Sequence, residues 1–211
     1  MIGLVTIASF SVAIPLLSGL VIYRRLPWAG RWLTWLMAVW LVVEIIAFIL
    51  RLKGNNNWLV YMMLSFFEII IVTSFYQSIF QNEKVKTICT ALAWVGVFVI
   101  VGEYSTVQNP VNTIGIFYEC VFFFGMGLYT FYEMSLMQTS TKFKFLNSVV
   151  MFFFLGSAIY YASWKVMEKD TFMIAITAHA YLLLICYALF TYGIWRLRDN
   201  ATHETNKKET S

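Results

Sequence analysis

Residues 32–50 read WLTWLMAVWLVVEIIAFIL, an apolar run in which Glu44 is the single charged side chain. A helix of about 20 apolar residues is long enough to cross the hydrocarbon core of a bilayer, which is about 30 Å thick. The sequence contains seven such segments, at residues 2–23, 32–50, 58–80, 87–102, 113–137, 145–164 and 171–195. Their apolar residues form continuous runs instead of alternating with polar ones, which predicts a bundle of seven transmembrane α-helices and not a β-barrel.

The composition of the whole chain supports this fold class. Of the 211 residues, 60% are hydrophobic and 12% are charged, whereas ordinary soluble domains are about 45–50% apolar and about 25% charged. The polar segments between the runs are too short to fold by themselves, and residues 196–211 contain no apolar run. We therefore expect one seven-helix transmembrane domain over residues 1–195, followed by a flexible cytoplasmic tail over residues 196–211.

The distribution of Lys and Arg predicts the orientation of the bundle. Basic residues accumulate in the cytoplasmic loops of membrane proteins. If the N-terminus is outside, four of the 15 Lys and Arg lie on the outer side and the other eleven on the cytoplasmic side. The sequence thus predicts a multi-pass protein with its N-terminus outside and its C-terminus inside. Because this asymmetry accounts for the net charge of +4, no nucleic-acid partner is expected.

Signatures of soluble enzymes are absent from the sequence. It contains no Gly-rich phosphate loop and no HExxH motif, and its three cysteines do not form a CxxC pair. We therefore expect neither a catalytic residue nor a cofactor. A membrane-embedded metal hydrolase stays open as an alternative, although two histidines, His179 and His203, are a poor provision for zinc.

Ionisable side chains inside the apolar runs are the main indication of function, because each costs at least about 2.5–3.5 kcal/mol near the centre of the bilayer. At 1.5 Å per residue, four of them lie at one level, about 9–15 Å below the outer surface. Two further polar residues share a helix face with one of the four. The sequence predicts an outward-facing polar pocket for protons, a cation or an amine, formed by Glu44, Glu68, Glu119, His179, Tyr61 and Ser65. The alternative is that each group is neutral and hydrogen-bonds to a neighbouring helix.

Two classes of function remain open on this basis. A transporter for a small solute or cation, with or without proton coupling, needs an inner path, for which Thr130 and Glu133 are candidates, together with Gly125 and Gly127 as flexible positions. A receptor-like sensor needs only a movable cytoplasmic face that acts on a partner. The sequence does not specify the metal, the ligand or the oligomeric state, and a homo-oligomer is compatible with it.

The spacing of the segments also suggests an internal repeat. An offset of about 112–114 residues aligns the first three segments with the last three, pairing Arg51 with Lys165. This alignment predicts a plan of three helices, one linker helix and three helices.

From residue 32 to residue 195 the chain also resembles a known group of proteins. The relevant features are Glu44 in the second segment, NNNW at 55–58, FFEIII at 66–71 and AHAYLLLICYALFTYGIW at 178–195. Together they resemble small, uncharacterised seven-helix inner-membrane proteins of bacteria. The resemblance implies a bacterial inner-membrane location and draws attention to Glu44 and Glu68, but it implies no activity.

Overall fold

The computed structural model describes residues 2–106, 113–136, 141–163 and 169–209, and within these ranges the chain forms helices joined by short turns. Residues 137 and 164, where two of the predicted segments end, lie outside these ranges. The helices are α1 (Ile2–Phe10), α2 (Ala13–Val21), α3 (Trp28–Leu52), α4 (Trp58–Gln77), α5 (Glu83–Thr106), α6 (Thr113–Leu136), α7 (Thr141–Ser163) and α8 (Lys169–Glu209), with a 3₁₀ turn at Tyr23–Arg25.

In the part of the chain that the structure describes, seven stretches of helix are long and apolar enough to cross a membrane. They are Gly3–Val21, Trp28–Leu52, Leu59–Gln77, Glu83–Glu103, Ile114–Leu136, Phe143–Tyr161 and Thr171–Leu197. Large apolar side chains cover the outside of the bundle; Phe98 and Ile174, for example, are each 70% exposed. Such a surface suits lipid and not water. Within the described residues, the predicted all-helical architecture and the presence of seven helices long and apolar enough to cross a membrane are confirmed.

The helix of the first segment is interrupted between Phe10 and Ala13, whereas the sequence predicts one continuous helix. Because Pro15 has no N–H, the carbonyl of Ser11 cannot receive the usual bond from four residues ahead. It accepts the N–H of Ile14 at 3.0 Å instead, and the Ser11 hydroxyl donates to the Ala8 carbonyl at 2.6 Å. The chain therefore turns between α1 and α2.

Four helices, α3, α5, α7 and α8, begin before the apolar runs that predicted them, and α3 and α5 show why. α3 begins at Trp28 instead of residue 32, after Pro27 in an extended conformation, and Arg31 in its first turn donates to the Leu26 carbonyl at 3.0 Å. α5 begins at Glu83 instead of residue 87, where an acidic side chain is favourable at the positive end of the helix dipole. Charged first turns extend beyond the apolar run, so hydropathy underestimates the length of these helices.

The last helix continues past Trp195 to Glu209, where the sequence analysis expected a flexible tail. Residues 196–209 contain no Gly or Pro that would end a helix. Leu197 is fully buried, and its Cδ1 would lie 3.2 Å from a Cβ placed on Gly30 of α3. This contact holds the membrane-proximal part of the segment against the bundle.

The helices pack as a closed ring with one helix outside it. The first segment, formed by α1 and α2, packs against α3 and α8, and the ring continues through α4, α6 and α7. α5 packs on the outside of α4 and α6. Trp40 of α3 reaches the middle of the ring, where its indole stacks on Phe153 of α7 at 4.5 Å between centroids and lies 5.9 Å from the Tyr187 ring of α8. This aromatic cluster forms one wall of a central cavity.

Candidate functional site

A cavity of about 110 Å³ lies inside the ring, between α3, α4, α6, α7 and α8. All six residues predicted to form the pocket line it: Glu44, Tyr61, Ser65, Glu68, Glu119 and His179. Tyr161, which the sequence places beside the pocket, also lines it, and four aromatic residues that were not predicted complete the wall, namely Trp40, Phe153, Phe154 and Tyr187. The space is large enough for several waters or for a small solute.

Two carboxyl groups meet at the buried floor of the cavity. Glu68 on α4 and Glu119 on α6 are 9% and 2% exposed, and their side chains are within hydrogen-bonding contact. The Trp40 indole N–H donates to Oε1 of Glu68, and Ser65 hydrogen-bonds to Glu119. Two unit charges about 4 Å apart repel by about 4 kcal/mol at an effective dielectric constant of 20. When no cation is present the two carboxyl groups therefore cannot both ionise cheaply, and at least one of them holds a proton.

Glu44 lies at the rim and has its own partners. Its Oε2 is 3.9 Å from Nη2 of Arg51, and the side chains of Glu44 and Arg51 are 18% and 44% exposed. The Tyr61 hydroxyl donates to Oε1 of Glu44 at 3.4 Å, and Ser9 of α1 also hydrogen-bonds to this carboxyl. Exposure thus increases from Glu119 through Glu44 to Arg51, so the cavity faces the end of the bundle that holds the start of α1 and the turn at residues 53–57.

The wall contains two polar atoms without partners. Within the described ranges, Oε1 of Glu119 and Nδ1 of His179 are buried and make no hydrogen bond. The His179 ring is held in place by stacking on Tyr160, at 4.2 Å between centroids and 8° between planes. Buried polar atoms normally have a partner in the protein or an ordered water. These two polar atoms therefore point to a bound solute or water.

The arrangement does not resemble a metal centre. In the part of the chain that the structure describes, no three His, Cys, Asp or Glu side chains are placed to hold a metal ion. Catalytic zinc sites use three protein ligands. The geometry therefore gives no support to a membrane-embedded metal hydrolase.

The two residues predicted for an inner path do not line the cavity. Thr130 is fully buried, and its hydroxyl donates to the Met126 carbonyl at 2.8 Å. Glu133 accepts the backbone N–H groups of Gln81 and Asn82 at 3.3 and 3.4 Å, and thereby caps the turn before α5. Met126, on the same face of α6 as Glu119, is 4% exposed, and neither it nor the two residues is in the cavity lining.

The two glycines expected to give flexibility near this path differ from each other. Gly125 is exposed, and a Cβ placed there would meet nothing within 4 Å. It lies on an exposed face of α6, and its role near an inner path stays a prediction. A Cβ on Gly127 would lie 2.2 Å from Cγ of Met151 and 3.1 Å from the Tyr76 hydroxyl. Gly127 is thus a position of close helix packing.

Comparisons of the chain with protein families, curated proteins and solved structures find no match. The resemblance to seven-helix inner-membrane proteins of bacteria therefore stays a prediction. The function has to be argued from the geometry of the cavity.

Proposed function

We propose that this chain is a transporter for a small cationic solute that binds in the central cavity. The observation that supports this most is the contact between Glu68 and Glu119 on the cavity floor. No Lys or Arg is among the described residues that line the cavity, and the rim cation Arg51 is paired with Glu44. Acidic groups in a bundle interior are typical of cation and proton pathways, and aromatic walls stabilise organic cations.

A second group of polar residues, deeper in the bundle than the carboxyl pair, supports transport of the solute and not binding alone. This inner layer consists of Tyr76 on α4, Gly127 on α6, and Asn147 and Met151 on α7. Tyr76 follows Glu68, and Gly127 follows Glu119, by eight residues, so the layer lies about 12 Å deeper than the carboxyl pair. Nδ2 of Asn147 donates to the Gly127 carbonyl at 2.9 Å. The Met151 side chain packs against Gly127 and closes the layer.

This layer contains polar groups that the closed packing does not satisfy. The Tyr76 hydroxyl and Oδ1 of Asn147 have no hydrogen-bond partner within the described part of the chain, and both residues are 0% exposed. A buried unsatisfied group costs about 1–3 kcal/mol. Water reaching the layer would remove that cost, which supports an alternative state in which the layer opens as an inner gate.

A receptor-like sensor is the second candidate, because two observations favour it. The inner half of α6 is packed, with Phe123 and Met126 buried, so ligand binding does not require a through path. α8 extends beyond the ring to Glu209 and so provides a continuous connection from the cavity to a cytoplasmic partner. The two candidates differ in whether bound cation crosses the membrane, and uptake by sealed proteoliposomes distinguishes them.

The proposal places the protein in the inner membrane of a bacterium, with the N-terminus outside and the cavity facing outward. The Lys and Arg distribution supports this orientation. Arg31 also has aromatic neighbours, Tyr23 at 5.5 Å and Trp28 at 5.1 Å, as is common in the interfacial belt. The position of α5 outside a ring of the other six segments supports the plan of three helices, one linker helix and three helices.

The orientation predicts a clear result with topology reporters. A reporter that works only in the cytoplasm is expected to be active when it is fused after Ser211 and inactive when it is inserted at Asn55, because these positions lie on opposite sides. A reporter that works only outside the cytoplasm should give the reverse pattern. External activity at Ser211 would show that the cavity faces inward.

A further inference from the structure

The size of the cavity favours a small ligand. Its volume of about 110 Å³ admits several water-sized groups. Methylammonium and guanidinium fit within it.

The unpartnered polar atoms restrict the ligand further. Oε1 of Glu119 and Nδ1 of His179 are buried in the wall without hydrogen-bond partners among the described residues. A cation that carries N–H groups can donate to several acceptors at once, whereas a quaternary ammonium cannot donate at all. The apolar part of such a ligand would contact the rings of Trp40 and Phe153. The wall is thus suited to a small cation with N–H donors.

We propose that such a cation, a small alkylammonium or guanidinium, exchanges one for one with a proton held by the Glu68 and Glu119 pair. This inference rests on the proposed function. In the empty state the pair holds one proton and carries one negative charge. When the cation binds, the O–H bond of the pair breaks, the proton leaves to water past Glu44, and the doubly charged pair holds the cation. The net charge of the site is −1 before and after, so the exchange avoids adding charge to a poorly solvated interior.

Other titratable groups around the pair are less suited to supply this proton. They are Glu44 and Arg51 on α3, Tyr61 on α4, Cys120 on α6, Tyr160 and Tyr161 on α7, and His179 and Tyr187 on α8. Glu44 is already paired with Arg51 and so has no proton to give. Tyrosine and cysteine side chains ordinarily keep their protons at pH 7. His179 is the one competing source, and a variant separates it from the carboxyl pair.

The test is calorimetric titration of the purified full-length protein with methylammonium chloride at pH 7, in phosphate and in HEPES. These buffers differ in ionisation enthalpy. The difference between the two observed binding enthalpies, divided by the difference between the two ionisation enthalpies, gives the number of protons released per bound cation. We expect about one proton per bound methylammonium, a number set by the shared-proton pair. The surface control Glu83→Gln should keep both binding and release. His179→Gln changes the wall and should weaken binding, but each bound methylammonium should still release about one proton. Glu119→Gln should lose this release, and tetramethylammonium should neither bind nor release protons.

The possible outcomes test the proton exchange and the ligand class separately. Binding of methylammonium without proton release, or release that persists in Glu119→Gln, would overturn the exchange and leave the transport proposal intact. Absence of methylammonium and guanidinium binding would overturn the ligand class. The proposed function is tested separately, by uptake. The enthalpy difference of the unmodified protein decides the exchange even if a variant fails to fold.

Discussion

Glu68→Gln is expected to reduce cation uptake by a factor of about 10–100, which corresponds to the loss of a charged hydrogen bond worth about 1.5–3 kcal/mol. The change keeps the shape of the side chain, and the Trp40 indole N–H can still donate to the amide oxygen in place of Oε1. The bundle should therefore fold. The amide cannot become anionic, so position 68 can neither share a proton with Glu119 nor pair with a cation. Initial rates of labelled guanidinium uptake by proteoliposomes measure the effect.

Glu83→Gln is the matched control for this substitution. Glu83 lies outside the cavity with 81% of its side chain exposed, and its partner is Lys86 at 2.7 Å. Removing an exposed charge of this kind costs about 0–1 kcal/mol, and uptake should not change. If Glu68→Gln transports as well as the unmodified protein, the carboxyl pair does not bind the cation. If Glu68→Gln does not accumulate as folded protein in the membrane, the carboxyl group serves packing.

Gly127→Val is expected to reduce uptake by at least about tenfold, because overpacking a filled site costs about 1–3 kcal/mol. A Cβ at Gly127 would lie 2.2 Å from Cγ of Met151, and so the inner layer could not repack between its closed and open arrangements. Calorimetric binding of methylammonium should be preserved, since the carboxyl pair lies about 12 Å away. The combination of blocked flux and intact binding is expected of a gate.

A compensating variant and a control make this result specific. Met151→Ala removes about the volume that valine adds, so Gly127→Val combined with Met151→Ala should restore most of the uptake. Gly125→Val adds the same side chain two residues away, where a Cβ meets nothing within 4 Å, and should leave uptake unchanged. Equal losses at positions 125 and 127 would indicate a general defect of α6 and would contradict a gate at Gly127.

The architecture could be predicted from the sequence because the bilayer imposes a simple requirement on each segment. Every spanning segment must be long, apolar and internally hydrogen-bonded. Residues 32–50 meet this requirement with a continuous apolar run. The ends were less predictable, since α3 and α5 continue through charged first turns at Arg31 and Glu83. The break before α2 had a signal in Pro15, which the apolar run concealed.

The contents of the cavity were partly predictable. Helical rise placed the ionisable residues at one level, and all six predicted pocket residues line the cavity. Depth alone did not show which carboxyl groups would meet. The rotation of α4 against α6 brings Glu68 to Glu119, while Glu44 pairs with Arg51. That rotation depends on packing between distant segments, as does the meeting of Tyr76, Gly127 and Asn147 in the inner layer.

Uptake of labelled guanidinium by sealed proteoliposomes tests the central claim most directly, because guanidinium stays charged near pH 7 and cannot cross lipid as a neutral base. With an acidic interior, we predict uptake well above that of protein-free and Glu68→Gln vesicles, accompanied by a rise in internal pH as protons leave. Methylammonium should compete with this uptake, and tetramethylammonium should not. Binding of guanidinium or methylammonium without any flux would contradict transport and would favour a sensor that acts through α8.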